Sequence, residues 1–118
     1  MRNILEALVD SETRQFILHG SVGAGDNMKQ FPAIGFERMR DVMIAKGEAE
    51  ALLKASGINY TIIRNGRVMP DGTPATGTAR LTEDDSVLDT TTRLDLAALT
   101  LQCLNYPACM NKTLHAVD

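Results

Sequence analysis

The sequence predicts an α/β fold built on a parallel sheet, and three observations predict it. Met39, Val42, Met43, Ala49, Leu52 and Leu53 recur at helical spacing. Gly57 then supplies the left-handed residue that ends a helix, and Lys54 complements the negative end of its dipole. Tyr60, Thr61, Ile62 and Ile63 follow as a nearly continuous β-branched and aromatic run, as in a strand covered on both faces. A helix leading into such a strand is the repeating unit of a parallel α/β sheet.

The 118 residues suit a single domain, 1–118, with one core. Apolar residues make up 44% and charged residues 23%, ordinary globular values that argue against disorder. A net charge of -3 leaves no basic footprint for nucleic acid. Aromatic content of 4% with no Trp gives no stacking platform for bases. No apolar run is long enough to span a bilayer. The first ten residues carry Glu6 and Asp10 in place of a long apolar segment, so the expected location is cytoplasmic. Cys103 and Cys109 are too few for a disulfide scaffold and are read as free thiols. His19 and His115 match no metal spacing, and no metal is expected.

In chain order, Met1, Ile4, Leu5, Leu8 and Val9 form a first helical stripe that ends near Asp10–Thr13. Phe16–His19 reads as a short buried strand. Gly20-Ser21-Val22-Gly23-Ala24-Gly25 follows as a glycine-rich loop. A strand followed by glycines is half of a dinucleotide fingerprint, but the spacing of Gly20, Gly23 and Gly25 fails the other half. The loop is therefore expected to be a rim or a plain connection, with Asp26–Pro32 continuing as loop.

The long helix is expected from about Pro32 or Phe36 to Ser56. Gly47 inside it costs roughly 1 kcal/mol relative to Ala. Close approach of another backbone or a ligand would explain it, and a merely tolerated glycine is the alternative. Lys46 falls on the apolar stripe. It either packs its stem there with its ammonium in water, or aims into a cleft at the end of the sheet.

Beyond Gly66, residues Arg67–Gly77 form a loop rich in turn residues. Arg80–Thr82 is extended, Glu83–Ser86 is a solvated turn, and Val87–Thr91 is a short strand. Thr92 with Asp95 three residues on matches the capping box. The helix Leu94–Leu104 is apolar nearly all round and should be well buried. Pro107 stops it, and Lys112–Val117 reads as the last strand.

The order of these pieces resembles a known family. Phe16–Ser21 resembles the strand that ends in the active-site serine of short-chain dehydrogenases. Lys46–Glu50, Leu53, Ser56-Gly57 and Tyr60–Gly66 resemble the "K..AE..L..SG..YTI.RPG" run of the atypical branch, which includes NmrA-like proteins and biliverdin-IXβ/flavin reductases. Asp71–Gly77 resembles the loop after that strand, and Thr92–Ala97 its "sR.DvA" helix start. The similarity runs from about Ile4 to Val117.

The resemblance implies a Rossmann-like sheet with flanking helices, an NADP or NAD cofactor, and hydride transfer. Carried over by position, Ser21 and Lys46 would be catalytic. Ser21 would sit by the nicotinamide or substrate, and Lys46 would bond the nicotinamide ribose. Arg64, Asn65 and Gly66 would line the cofactor pocket. The departures are specific. The family's Tyr four residues before the lysine is Val42, and the Pro of its "RPG" run is Asn65. Only the second half of the family's pattern is matched: the fold expected is a partial one, without the N-terminal dinucleotide-fingerprint half.

Two functions follow as expectations. One is an NAD(P)-dependent oxidoreductase of the atypical short-chain class, crippled or altered by the absent fingerprint. The other is a non-catalytic α/β remnant that assembles with itself or a partner, or senses a dinucleotide. In either case the strand Phe16–His19 lacks a neighbour on one side, which predicts a homodimer or higher assembly through exposed edges or uncovered helix faces.

Overall fold

The computed structural model describes residues 1–9, 11–32 and 37–118. Helix α1 spans Arg2–Leu8 and strand β1 Phe16–Ser21. Helix α2 spans Arg40–Ala55 and β2 Tyr60–Asn65. Strand β3 is Arg80–Thr82, α3 is Arg93–Cys103 and β4 is Lys112–Val117. The four strands form one sheet in the order β1-β2-β4-β3. β1, β2 and β4 are parallel, and β3 closes the far edge antiparallel to β4. This is the α/β sheet the helix–strand unit predicts, with one antiparallel edge strand, in the Rossmann-like arrangement the resemblance implies.

The β2 run is the centre of the core: Thr61, Ile62, Ile63 and Arg64 are all buried. Alternate residues of a strand face opposite sides. Ile63 packs with Leu96 and Leu99 of α3 and with Ala116 of β4. Ile62 and Arg64 lie on the other side with Gly20, under Glu50 of α2. The sheet is thus layered between α2 and α3.

Several elements depart from expectation. Helix α2 begins at Arg40, after a 3-10 turn at Glu37–Met39; Phe36, one of the two starts considered, lies outside the described residues, as does Asp10. Its buried residues are Met43, Glu50 and Leu53, whereas Met39 and Val42 are exposed. The apolar stripe therefore runs one notch away from the one hydrophobicity alone suggests, because a charged residue occupies its centre. Gly25–Lys29, expected as loop, is a 3-10 turn. Of Val87–Thr91 only Thr91 makes a strand-like contact, a single parallel bridge to Val68.

Helix α3 is not buried all round. Leu96, Leu99 and Cys103 are buried, but Leu94 is 60% exposed and Leu101 71% exposed. One helix face suffices to cover this side of a narrow sheet, so the opposite leucines face outward. The cysteines are not free either: Cys103 and Cys109 form a disulfide, with a Cα separation of 5.4 Å. A turn at Pro107–Cys109 folds the chain back and brings the two sulfurs together. No helix of the described residues is long and apolar enough to cross a membrane.

Candidate functional site

A cavity of about 540 Å³ opens at the carboxyl ends of β1 and β2. Ser21 ends β1, and Asn65 ends β2 as its register partner. Val22 donates its N–H to the Asn65 carbonyl at 3.0 Å, which holds the two strand ends side by side. Gly66 and Arg67 continue the rim, Met39 comes from the 3-10 turn before α2 and Met43 from the first turn of α2, and Leu88, Asp89 and Thr90 close the opposite wall. Val22, Met39, Met43 and Leu88 make it mainly apolar.

Glycine at position 66 is a packing requirement. A Cβ there would run into the Asp89 carbonyl oxygen and would lie 2.7 Å from Leu88 Cδ1. Its absence lets the Leu88–Asp89 segment close on the strand end. The Asp89 carboxylate accepts from the N–H groups of Thr90 and Asp118, at 2.7 and 2.8 Å. Those bonds, first to Asp118 and then to Thr90, hold its pKa below the ordinary value of 3.8. The Arg67 side chain is exposed at the rim with no ion pair among the described residues.

The glycine-rich loop is bonded to itself. Gly23 donates to the Asn27 side chain at 2.7 Å, and Ala24 to the Ser21 carbonyl at 3.1 Å. Buried Asn27 donates in turn to the Asp85 carbonyl at 2.8 Å. A phosphate cradle needs free N–H groups aimed at one point. Here those of Val22, Gly23 and Ala24 are already used. The loop is a structural corner, and Gly25 packs directly against Gly47 of α2: a Cβ on Gly47 would lie 2.5 Å from the Gly25 Cα. The close backbone approach anticipated for Gly47 is thus present.

Of the residues singled out from the sequence, Ser21, Asn65 and Gly66 share the cavity. Arg64 does not line it. Its guanidinium lies under α2, donating to Glu50 Oε1 at 3.1 Å, Glu50 Oε2 at 2.7 Å and Asp26 Oδ1 at 2.8 Å. Burial works against the charged guanidinium, but the Glu50 and Asp26 bonds outweigh it and its pKa is raised. The Arg64 hydrogen bond likewise lowers the pKa of Asp26. Lys46 is half-buried, makes no ion pair among the described residues and is not in the cavity wall. It stands three residues after Met43, one turn along the same side of α2. Sequence reasoning missed Met39, Met43, Leu88 and Thr90, because apolar and loop residues carry no chemical motif. Arg67 was legible only as the first residue of the turn-rich loop after Gly66.

Elsewhere, His19 bonds Thr100 of α3 at 2.9 Å and His115 bonds the Val87 carbonyl at 3.0 Å. Among the described residues no His, Cys, Asp and Glu group could hold a metal ion.

Comparison with known proteins agrees with this architecture. The profile of the NAD(P)H-binding family matches residues 1–107. An uncharacterised chloroplastic protein of Arabidopsis thaliana is 32% identical over 100 residues, covering 81% of this chain and 35% of its own. Among solved structures, ChuY of Escherichia coli O157:H7, described as an anaerobillin reductase, superposes with a TM-score of 0.85 at 24% identity, over 98% of this chain and 55% of its own. A short-chain dehydrogenase/reductase of Veillonella parvula in complex with NADP gives a TM-score of 0.73 at 20% identity, over 98% of this chain and 55% of its own. The chain spans about half the length of these solved structures and about a third of the plant protein.

Proposed function

Because the chain belongs to the NAD(P)H-binding family, we propose that it forms the substrate-side half of an NAD(P)-dependent reductase of the atypical short-chain class. The observation that carries the reading is the position of the cavity. In open α/β sheets ligands bind outside the carboxyl ends of the strands, and this cavity lies at the ends of β1 and β2. Its size and apolar walls suit the nicotinamide ring with a small conjugated substrate against it.

The fit to a dinucleotide is one-sided. The nicotinamide end has apolar walls from Val22, Met43 and Leu88, and the Ser21 hydroxyl. The pyrophosphate end finds no cradle in the glycine-rich loop, where the N–H groups of Val22, Gly23 and Ala24 are already bonded. When bound, the cofactor would supply the hydride. The chain would supply orientation and exclusion of water. Ser21 would hold a polar atom of the ring or substrate. Lys46, one turn beyond Met43, would swing its ammonium to a ribose hydroxyl.

The bonded N–H groups of Val22, Gly23 and Ala24 also favour a second reading: a non-catalytic member that binds a dinucleotide weakly, as a sensor, or serves as an assembly module. Self-association would use the open edge of β1, which among the described residues has β2 on one side only.

Calorimetric titration with NADPH and with NADH separates the two. Saturable micromolar binding, weakened by Lys46→Ala, supports the reductase half. Absence of binding at millimolar cofactor rejects it in favour of the second reading.

A further inference from the structure

The Cys103–Cys109 bridge lies at the amino ends of the parallel strands, opposite the cavity. Cys103 ends α3, Cys109 ends the turn that follows, and the two are separated by only 6 positions in sequence. A disulfide stabilises chiefly by restricting the unfolded chain, and the effect shrinks with the loop it closes. This bridge therefore restricts less than a long-range one. The backbone around it is also held without it. Gln15, just ahead of β1, donates through Nε2 to the Cys103 carbonyl at 3.0 Å and to Thr61 Oγ1 at 2.9 Å, and its Oε1 accepts from the Asn105 N–H at 2.9 Å. The buried Thr61 hydroxyl donates in turn to the Cys109 carbonyl at 2.7 Å. Within the turn, Tyr106 N–H bonds the Cys103 carbonyl at 3.1 Å and Cys109 N–H the Tyr106 carbonyl at 3.0 Å. None of these bonds involves sulfur, so they keep the two cysteines facing each other when the S–S bond is broken.

The two ends of the bridge differ in access. Cys103 is 0% exposed, whereas Cys109 is only partly buried and follows the exposed residues 104–108. We propose that Cys103 and Cys109 are a reversible redox pair, opened by an external dithiol that attacks the Cys109 sulfur and re-closed in place because Gln15 and Thr61 hold both backbones. A thiolate of the reductant bonds to Cys109 Sγ as the S–S bond breaks, and Cys103 leaves as a thiolate and takes a proton. The reductant's second thiolate then attacks its own sulfur in the mixed disulfide, and Cys109 leaves and takes a proton. Two electrons and two protons pass to the chain, and the dithiol becomes a disulfide. Reduction releases the last turn of α3 from the Pro107–Cys109 turn, while the core on β2 is untouched.

The full chain, without denaturant, is equilibrated with dihydrolipoamide and lipoamide in varied ratio, and thiols are counted by alkylation and mass. Both cysteines should open together in one two-electron transition and close again in excess lipoamide. The reduced chain should keep its circular-dichroism spectrum and melt no more than about 10 °C lower. Amides of residues 102–109 should exchange about tenfold faster on reduction, with those of β2 unchanged. Gln15→Leu, with its fold checked by melting, should shift the equilibrium about tenfold toward the dithiol, because the reduced chain then no longer holds the cysteines together. Glutathione, a monothiol, should be trapped on Cys109 when the adduct is mapped by peptide mass. A bridge that yields only after denaturant is added, or a reduction that unfolds the chain, makes it a fixed staple and overturns the proposal. So do thiols that never close in excess lipoamide, a Gln15→Leu equilibrium equal to the native one, or glutathione trapped on Cys103.

Discussion

Gly47 in the middle of α2 lies against Gly25 of the loop that follows β1, so closely that a Cβ on Gly47 would stand 2.5 Å from the Gly25 Cα and 2.7 Å from its nitrogen. Helix and loop meet backbone to backbone. Alanine at position 47 would gain roughly 1 kcal/mol of helix propensity. It would also force two backbones apart in a packed region, and overpacking of that kind costs about 1–3 kcal/mol. The contact is with backbone, which cannot swing away as a side chain can. Gly47→Ala should therefore lower the melting temperature despite the better helix former. A rise in melting temperature would mean that the loop does not pack here.

The buried Glu50–Arg64 pair should dominate the response to mutation on the α2 side of the sheet. Both side chains are 3% exposed, and Arg64 stays charged at all ordinary pH. Removing one partner of such a pair leaves an uncompensated charge and costs about 3–5 kcal/mol. Asp26, at the exposed end of the cluster, compensates only in part. Glu50→Ala should therefore unfold the chain at much lower denaturant concentration. The double variant Glu50→Met with Arg64→Met should recover much of the loss. A midpoint for Glu50→Ala within error of the native one would show that the pair is not formed.

That pair also marks what the sequence could and could not reveal. The helix–glycine–strand unit from α2 to β2 was legible, because its periodicity and stop signal are local. So was the Thr92 cap of α3: its hydroxyl accepts from the Asp95 N–H at 3.0 Å. Glu50 in the buried stripe was not legible, since a charge is buried only when a distant partner meets it, and Arg64 is fourteen residues away. Motif position put Arg64 in the cofactor pocket, yet strand alternation turns it to the opposite side from Ile63 and its neighbours. The exposed leucines of α3 have a related cause. Composition cannot say how wide a sheet the helix must cover. The disulfide depends on a turn that reverses the chain between Cys103 and Cys109, and spacing alone does not show it.

Asp95 ties the Asp71–Gly77 loop to α3. Its carboxylate accepts from Thr76 N–H at 2.9 Å, Gly77 N–H at 3.1 Å and the Thr92 hydroxyl at 2.6 Å. These bonds, the Thr76 N–H foremost, hold its pKa below the ordinary 3.8. The folded value lies below the unfolded one, so the carboxylate stabilises the fold fully above the unfolded pKa. That stability is lost as pH falls through the depressed value. Asp95→Asn keeps one acceptor oxygen but turns the other into a donor facing N–H groups. It should lower the melting temperature at neutral pH and flatten the acid side of the stability profile. Parallel native and variant profiles, measured by circular dichroism below pH 5, would refute the assignment.

The open edge of β1 makes the last prediction. Phe16 N–H bonds the Asn59 carbonyl and Val22 N–H the Asn65 carbonyl, so the even-numbered residues of β1 bond to β2. In a parallel ladder the alternate groups then point away. Those are the backbone groups of Ile17 and His19 and the N–H of Ser21, and no strand of the described residues meets them. An unpaired edge of this kind is a template for another strand. A second copy related by a two-fold axis would pair its own β1 antiparallel, and the two sheets would become one. Sedimentation across micromolar concentrations should therefore show a monomer–dimer equilibrium. His19→Pro removes an outward N–H without touching the β2 ladder, and it should shift the equilibrium to monomer while the secondary structure persists. A single monomeric species at every concentration would refute edge pairing. A dimer insensitive to His19→Pro would move the interface elsewhere, to the face of α3 that carries Leu94 and Leu101 first, since those are among the most exposed large apolar side chains.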